Sequence, residues 1–200
     1  MELNTYPLVC TRGVVLYPNQ EIVIDVGRGA SVHAVENAQD NYDKKICLFS
    51  QKELEQENPG KEDIYPVGTL CEVRHIRRFD NFLRVKFRGI KRVKLNNWIN
   101  GSLSDLAEVE ILESEKQDAV EEEALIRMIA DELDRMQGQD RFVTKEIVME
   151  ISKGMGGEFL SDKAVQGLPL DIERKQQYLE TLGVNDRLMM LLQDMAKEKK

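Results

Sequence analysis

The stretch VGTLCEVRHIRRFDNFLRVKFRGIKRVKL, residues 67–95, decides the fold class. Leu70, Glu72, Arg74, Ile76 and Arg78 share one parity, while Cys71, Val73, His75, Arg77 and Phe79 share the other. A period of two over so many residues is the period of a strand, not of a helix. Asp80-Asn81 interrupts the run as a hairpin turn does. Beyond it, Leu83, Val85 and Phe87 alternate with Arg84, Lys86 and Arg88; Gly89 punctuates, and Val93 and Leu95 alternate with Arg92 and Lys94. Downstream, Asn100-Gly101 signals a turn and Leu106 to Leu112 closes the set. Upstream, Glu21 to Val26 and Lys45 to Phe49 are runs too short for helices and apolar enough for buried strands. Between them, Val32, Val35 and Ala38 recur every three residues and predict one short helix packed on the sheet. Residues 53–63 are polar and contain Asn58-Pro59-Gly60, a loop signature. Six or so short strands with hairpin spacing and one helix predict a curled, barrel-like antiparallel sheet.

The texture changes near Glu113-Ser114, where a boundary is expected between a β-rich subdomain, residues 1–113, and a helical subdomain, residues 114–200. Ser114 to Gln117 has the form of a capping box. Leu125, Ile126, Ile129, Leu133 and Met136 then follow three-and-four spacing, a helix of about six turns ended by Gly138. Thr144 to Lys153 predicts a shorter helix, stopped by Gly154-Met155-Gly156-Gly157, and Phe159 to Gln166 a brief third one. Asp171 is placed to cap a helix from Ile172 to Leu182. After Gly183, Leu188, Leu191, Leu192 and Met195 form a stripe that runs on toward Lys200 with no Gly or Pro stop. An uncapped stripe of this kind is expected of a helix cut within a longer chain.

Composition narrows the function. The 200 residues carry 28 Lys and Arg against 36 Asp and Glu, a net charge of −8. Of that, residues 1–113 hold −2 and residues 114–200 hold −6. The 42% hydrophobic fraction is a globular value. No apolar run approaches the roughly 18 residues of a membrane-spanning helix, and the first residues do not read as a signal peptide. A cytoplasmic chain is the expectation. Cys10, Cys47 and Cys71 form no CxxC pair and read as reduced, small packing residues.

The sequence offers little catalytic chemistry. There is no GxxxxGK[ST] and no GxSxG; Gly154-Met155-Gly156-Gly157 is followed by Glu158 and lacks the Lys and hydroxyl of a phosphate cradle. His33 and His75, without clustered cysteines or carboxylates, do not compose a metal site. No catalytic, metal or cofactor-binding residue is expected. One electrostatic feature stands out: nine cations between Arg74 and Lys94 face Asp80 alone and interleave with Phe79, Phe82 and Phe87. Cations with aromatics suit single-stranded nucleic acid, and Arg77, Arg78, Arg84, Lys86 and Arg88 are the contacts such a reading names. The competing reading places these cations on the solvated face of a hairpin with the acidic second half as partner.

Several local patterns together resemble one family. Pro7-Leu8 followed by Arg12-Gly13-Val14-Val15-Leu16-Tyr17-Pro18 resembles the P-L-x-x-x-R-[DG]-x-V-x-[FY]-P opening of the amino-terminal domain of bacterial Lon proteases. Val26-Gly27-Arg28 with Ser31 and Ala34 resembles the family's V-G-R-x-x-S-x-x-A, and Asp63-Ile64-Tyr65 with Val67-Gly68-Thr69 its D-[IL]-Y-x-V-G-T. Arg88-Gly89-Ile90-Lys91-Arg92 is similar to [EV]-G-[LI]-x-R. Gly167-Leu168-Pro169-Leu170, Lys175-Gln176, Leu179-Glu180-Thr181 and Arg187-Leu188 follow the family's later pattern. Val9-Cys10-Thr11 departs from it, because a second Pro-Leu is common there.

The resemblance implies a PUA-like β-barrel followed by a helical bundle, an α+β chain, as the periodicities also suggest. It further implies a non-catalytic, substrate-recognising region of a cytoplasmic ATP-dependent serine protease. ATP and Mg would then serve only an ATPase module outside these residues, followed by a Ser-Lys protease domain. The full protein would be a hexamer, with weak self-association of this part. The partners implied are unfolded or damaged proteins. Met side chains adapt their shape to varied apolar segments, and seven of the eight Met follow residue 127. Met149, Met155 and Phe159 beside the glycine-flanked loop, and Leu16 and Tyr17 in the first turn, are the expected client contacts.

Overall fold

The computed structural model describes residues 3–27, 29–136 and 145–197. It divides into two compact units, Met1–Leu112 and Glu113–Lys200. The first contains β1 (Leu3–Thr11), β2 (Glu21–Val26), α1 (Gly29–Asn41), β3 (Lys45–Ser50), β4 (Val67–Arg78), β5 (Leu83–Ile99) and β6 (Leu106–Leu112). The second contains α2 (Ala119–Met136), α3 (Lys145–Ser152), α4 (Gly157–Gly167), α5 (Ile172–Glu180) and α6 (Val184–Lys197).

Strands β1, β3, β4, β5 and β6 pair in a closed ring, and β2 adds to the first half of β5. Alternate side chains therefore serve two cores. Leu8, Cys10, Cys47, Phe49, Val93, Leu95 and Val109 pack together as one core. Val9, Ile46, Leu48, Val73, Val85 and Phe87 form the other, beneath Ala34, Val35 and Ala38 of α1. Burial on both faces explains why β1 carries no visible alternation: Pro7 to Thr11 are all buried. The three cysteines are buried and form no disulfide with one another, and burial pushes the Cys47 and Cys71 thiols well above the usual range.

Two expectations for the sheet need correction. The sheet is not wholly antiparallel, because β1 and β3 run parallel, with Leu8 opposite Cys47 and Thr11 opposite Ser50. The intervening β2 and α1 supply the long crossover that a parallel pair requires. Nor does β5 break at Gly89; it runs 17 residues through that position. Gly89 donates to the Gln20 carbonyl (2.9 Å), accepts from the Asn19 N–H (2.9 Å), and a Cβ there would collide with the Tyr17 carbonyl. The glycine marks a close backbone approach rather than a strand end.

In the helical unit, α2 begins at Ala119, five residues after Ser114, and the cap is Asp118, whose carboxylate accepts from the Glu121 N–H (2.7 Å). Ser114 and Gln117 are engaged elsewhere. Glu115 bonds through its main chain to Leu182 and Val184, and Gln117 accepts from the Asp186 N–H (3.2 Å), so this segment is stapled to the α5–α6 turn. The expected stop at Gly138 lies outside the described residues. Asp171 caps α5 through the Arg174 N–H (2.7 Å), as the sequence predicts.

Arg187 organises this unit and is fully buried. It donates to the Thr181 carbonyl (2.8 Å), Ser161 Oγ (3.1 Å) and Ser114 Oγ (3.2 Å), and Asp162 supplies the counter-charge at 3.8 Å. Asp194, also buried, accepts from Arg174 (2.7 Å), Tyr178 (2.8 Å) and Lys197 (3.2 Å). Burial opposes ionisation of Asp194, but these hydrogen bonds outweigh it and hold the carboxyl below its ordinary range.

Removing one partner strands the other in a dry interior. Arg187→Ala should therefore cost about 3–5 kcal/mol, read as a lower urea midpoint of the helical signal in far-UV circular dichroism. Because the folded-state pKa of Asp194 is depressed, its stabilisation is present above the ordinary carboxylate pKa and lost as pH falls through the folded value. The stability gap between wild type and Asp194→Asn should accordingly be largest near neutrality and shrink in acid.

Candidate functional site

The expected client contacts divide into buried and exposed residues. Leu16 and Tyr17 are 2% and 0% exposed, so the first turn offers no apolar surface. Tyr17 is carried inward because its carbonyl lies over Gly89, and Thr69 donates to the Leu16 carbonyl (2.5 Å). In the helical unit, Met149 on α3 is 55% exposed and Phe159 on α4 is 38% exposed, while Met155 between them is half-buried. Lys163 of α4 holds α3 by ion pairs to Glu150 (2.7 Å) and Glu146 (3.7 Å). Ile147 is the only buried residue of α3, so this helix is thinly anchored.

The β4–β5 hairpin is basic but internally matched. Arg84 makes a bidentate pair with Asp25 (2.7 and 2.9 Å), Lys86 reaches Glu21 (2.8 Å), and Arg78 reaches Glu36 (2.9 Å). Arg88 lies 3.8 Å from Glu21. Hydrogen bonds from Lys86 and Arg84 hold the Glu21 and Asp25 carboxyls below their usual range. Phe79 and Phe82 stack on each other, centroids 4.6 Å apart, with Arg77 and Arg84 over the Phe79 ring. Arg92, counted among the surface cations from sequence, is buried. The partners of Arg84, Lys86 and Arg88 come from β2, and that of Arg78 from α1. A stacked, capped and charge-paired tip is a structural arrangement, not an open row of cations for phosphates.

Two neighbouring cavities of the β-rich unit share Cys10, Arg12 and Ser31. The larger, about 600 Å³, is lined by Leu8, Pro59, Trp98 and Asp105, with the Trp98 indole donating to Asp105 (3.1 Å). The smaller, about 340 Å³, lies between the end of β1, the Val14 loop, and Ile24 to Val26 of β2 with Gly27 just after it. Volumes of this order accept one or two side chains of a bound chain. Sequence reasoning missed these residues, because no motif marks a cleft that exists only once β1 and β2 are brought together. Among the described residues, no group of three His, Cys, Asp or Glu side chains could hold a metal, and no helix is long and apolar enough to cross a membrane.

Comparison with known proteins places this architecture. The family model described as the ATP-dependent protease La (LON) substrate-binding domain matches residues 5–197. A Lon protease of Syntrophomonas wolfei is 33% identical over 201 residues, covering 98% of this chain and 25% of that protein. A Lon protease of Buchnera aphidicola is 30% identical over 198 residues, with the same 98% and 25% coverage. Among solved structures, the N-terminal domain of the Mycobacterium avium complex Lon protease superposes with TM-score 0.76 at 16% identity, covering 96% of this chain and 98% of that one. A Lon N-terminal domain protein from Xanthomonas campestris superposes with TM-score 0.64 at 17% identity, covering 94% and 97%. The fold is thus that of Lon N-terminal domains. The chain belongs to the Lon substrate-binding domain family and spans about a quarter of the length of the Lon proteases it matches.

Burial separates the two sets of expected contacts. Tyr17→Ala should destabilise the β-rich unit by about 3–5 kcal/mol in urea unfolding, as core aromatic deletions do. Met149→Asp, on an exposed helix face, should stay within about 0.5 kcal/mol of wild type.

Proposed function

We propose that this chain is the non-catalytic, substrate-receiving part of a Lon-type ATP-dependent protease and that it captures unfolded or damaged protein segments. The family match over residues 5–197 carries the reading. The sequence supports it, having no nucleotide cradle and no nucleophile motif. The contiguous clefts of the β-rich unit and the exposed Met149 and Phe159 are surfaces that tolerate varied apolar segments. No cofactor acts in this chain; ATP and Mg belong to an ATPase module in the rest of such a protein. Assembly into a homo-oligomer, a hexamer in the full-length protein, and a cytoplasmic location complete the proposal.

Ordering a flexible client costs conformational entropy, so a single copy should bind at roughly micromolar affinity or weaker. Tethered copies in an oligomer raise the effective concentration and compensate. Reduced, carboxamidomethylated ribonuclease A, labelled with fluorescein, should bind this chain in a fluorescence-anisotropy titration, and native ribonuclease A should not. Raising the salt concentration should change the affinity little, because the contacts are apolar and main-chain rather than ionic. The same preparation should neither hydrolyse ATP nor cleave casein. Equal binding of the folded and unfolded protein, or turnover of either substrate, defeats the proposal.

A further inference from the structure

One strand, β2, lies outside the closed ring. β2 pairs with β5 alone, from Glu21 opposite Arg88 to Val26 opposite Leu83, and among the described residues no strand pairs with its second edge. The phase of its hydrogen bonding follows from Gly89, whose N–H donates to the Gln20 carbonyl (2.9 Å). In an antiparallel pair the main-chain groups turn toward and away from the partner alternately. Ile22, Ile24 and Val26 therefore bond to β5, and Glu21, Val23 and Asp25 direct N–H and C=O groups outward. The same three residues carry exposed side chains, Val23 at 56%.

The free edge opens on a cavity rather than on bulk solvent alone. Ile24, Asp25, Val26 and Gly27, residues of both parities, line the cavity of about 340 Å³. Consecutive residues of both parities can line one cavity only where the strand presents its edge to it. The opposite wall includes Val9, Cys10 and Val14, and Cys10 and Arg12 continue into the larger cavity. A row of unpaired main-chain donors and acceptors beside an apolar recess is the arrangement by which sheets accept an added strand. Main-chain bonds supply affinity, and recesses for alternate side chains supply selectivity.

We propose, resting on the substrate-binding reading above, that the outer edge of β2 takes an extended segment of unfolded client as an additional strand, with apolar client side chains entering the neighbouring recess. Every unfolded polypeptide carries the complementary main-chain groups, so this edge recognises the unfolded state without requiring a sequence. The carboxylates of Glu21 and Asp25 are already answered by Lys86, Arg88 and Arg84, so recognition at this edge rests on main-chain groups and the recess rather than on charge.

Val23→Pro tests the edge directly, because it removes an outward N–H that the β2–β5 ladder does not use. The variant should keep the wild-type circular dichroism and amide spectrum, yet bind unfolded ribonuclease A about tenfold more weakly, the loss expected for roughly one main-chain hydrogen bond and its neighbours. A second measurement leaves the protein unchanged. A labelled peptide alternating valine and threonine should bind wild type. Methylating one alternate set of its amide nitrogens should abolish binding, while methylating the other set should spare it. If wild type binds unfolded ribonuclease A but Val23→Pro binds it equally and both methylated peptides still bind, the edge is not the site and the substrate-binding reading stands. If wild type binds no unfolded protein at all, both fall. Self-association of wild type that Val23→Pro abolishes, with client binding unchanged, would make a second copy the occupant and overturn the proposal.

Discussion

Strand β5 has to satisfy three neighbours, and the β-rich unit depends on how it does so. Its first half lies between β2 and β4, and its second half between β4 and β6, which closes the ring. Between the halves the strand must change which core its odd-numbered side chains enter. Val85 and Phe87 belong to the core under α1, whereas Val93 and Leu95 belong to the core shared with β1, β3 and β6. A register shift opposite Leu70 and Cys71 accommodates the bend. Gly89 sits at that point because the Tyr17 carbonyl occupies the space where a side chain would begin. The loop before β2 is thereby drawn onto the sheet, Tyr17 is buried, and β2 is held in place with its other edge free.

The helical unit depends on charge buried in company. Arg187 joins the segment at Ser114 to the carbonyls that end α5 and to Ser161 on α4, contacts that apolar side chains could not specify. Asp194 does the same for α5 and α6 through Arg174 and Tyr178. Such groups add less net stability than hydrophobic burial, but they exclude helix registers that would leave them unpaired. Around them, α3 is secured chiefly by Ile147 and by the ion pairs to Lys163, and it keeps Met149 in solvent.

A receptor for unfolded protein meets an unusual demand: it must reject every correctly folded chain while accepting sequences that share no motif. Unsatisfied main-chain groups and exposed apolar side chains are what unfolded segments have in common. Under the proposed function, exposed Met149 on thinly anchored α3 is assigned to the second property and the outer edge of β2 to the first. The basic hairpin, by contrast, uses its charge internally. Its arginines cap their own phenylalanines or pair with Asp25, Glu21 and Glu36, so the charge run reports how β2 and α1 are bound to the sheet.

Period and punctuation in the sequence were sufficient for the strands β2, β3, β4 and β6, for the amphipathic helices after Ser114 and for the Asp171 cap, because these depend on contacts within a few residues of each position. The family patterns likewise pointed to the fold and the family that the comparisons show. Three features belonged to the tertiary structure alone. β1 lost its alternation because both of its faces are buried; Gly89 read as a stop because its true reason is a carbonyl 72 positions earlier in the chain; and Ser114 read as a cap although Arg187 and the α5–α6 turn engage that segment. The candidate site was less legible still. Whether Tyr17 faces solvent, whether Arg84 is free, and which edge of which strand stays unpaired are decided by residues distant in sequence, and local pattern carries no record of them.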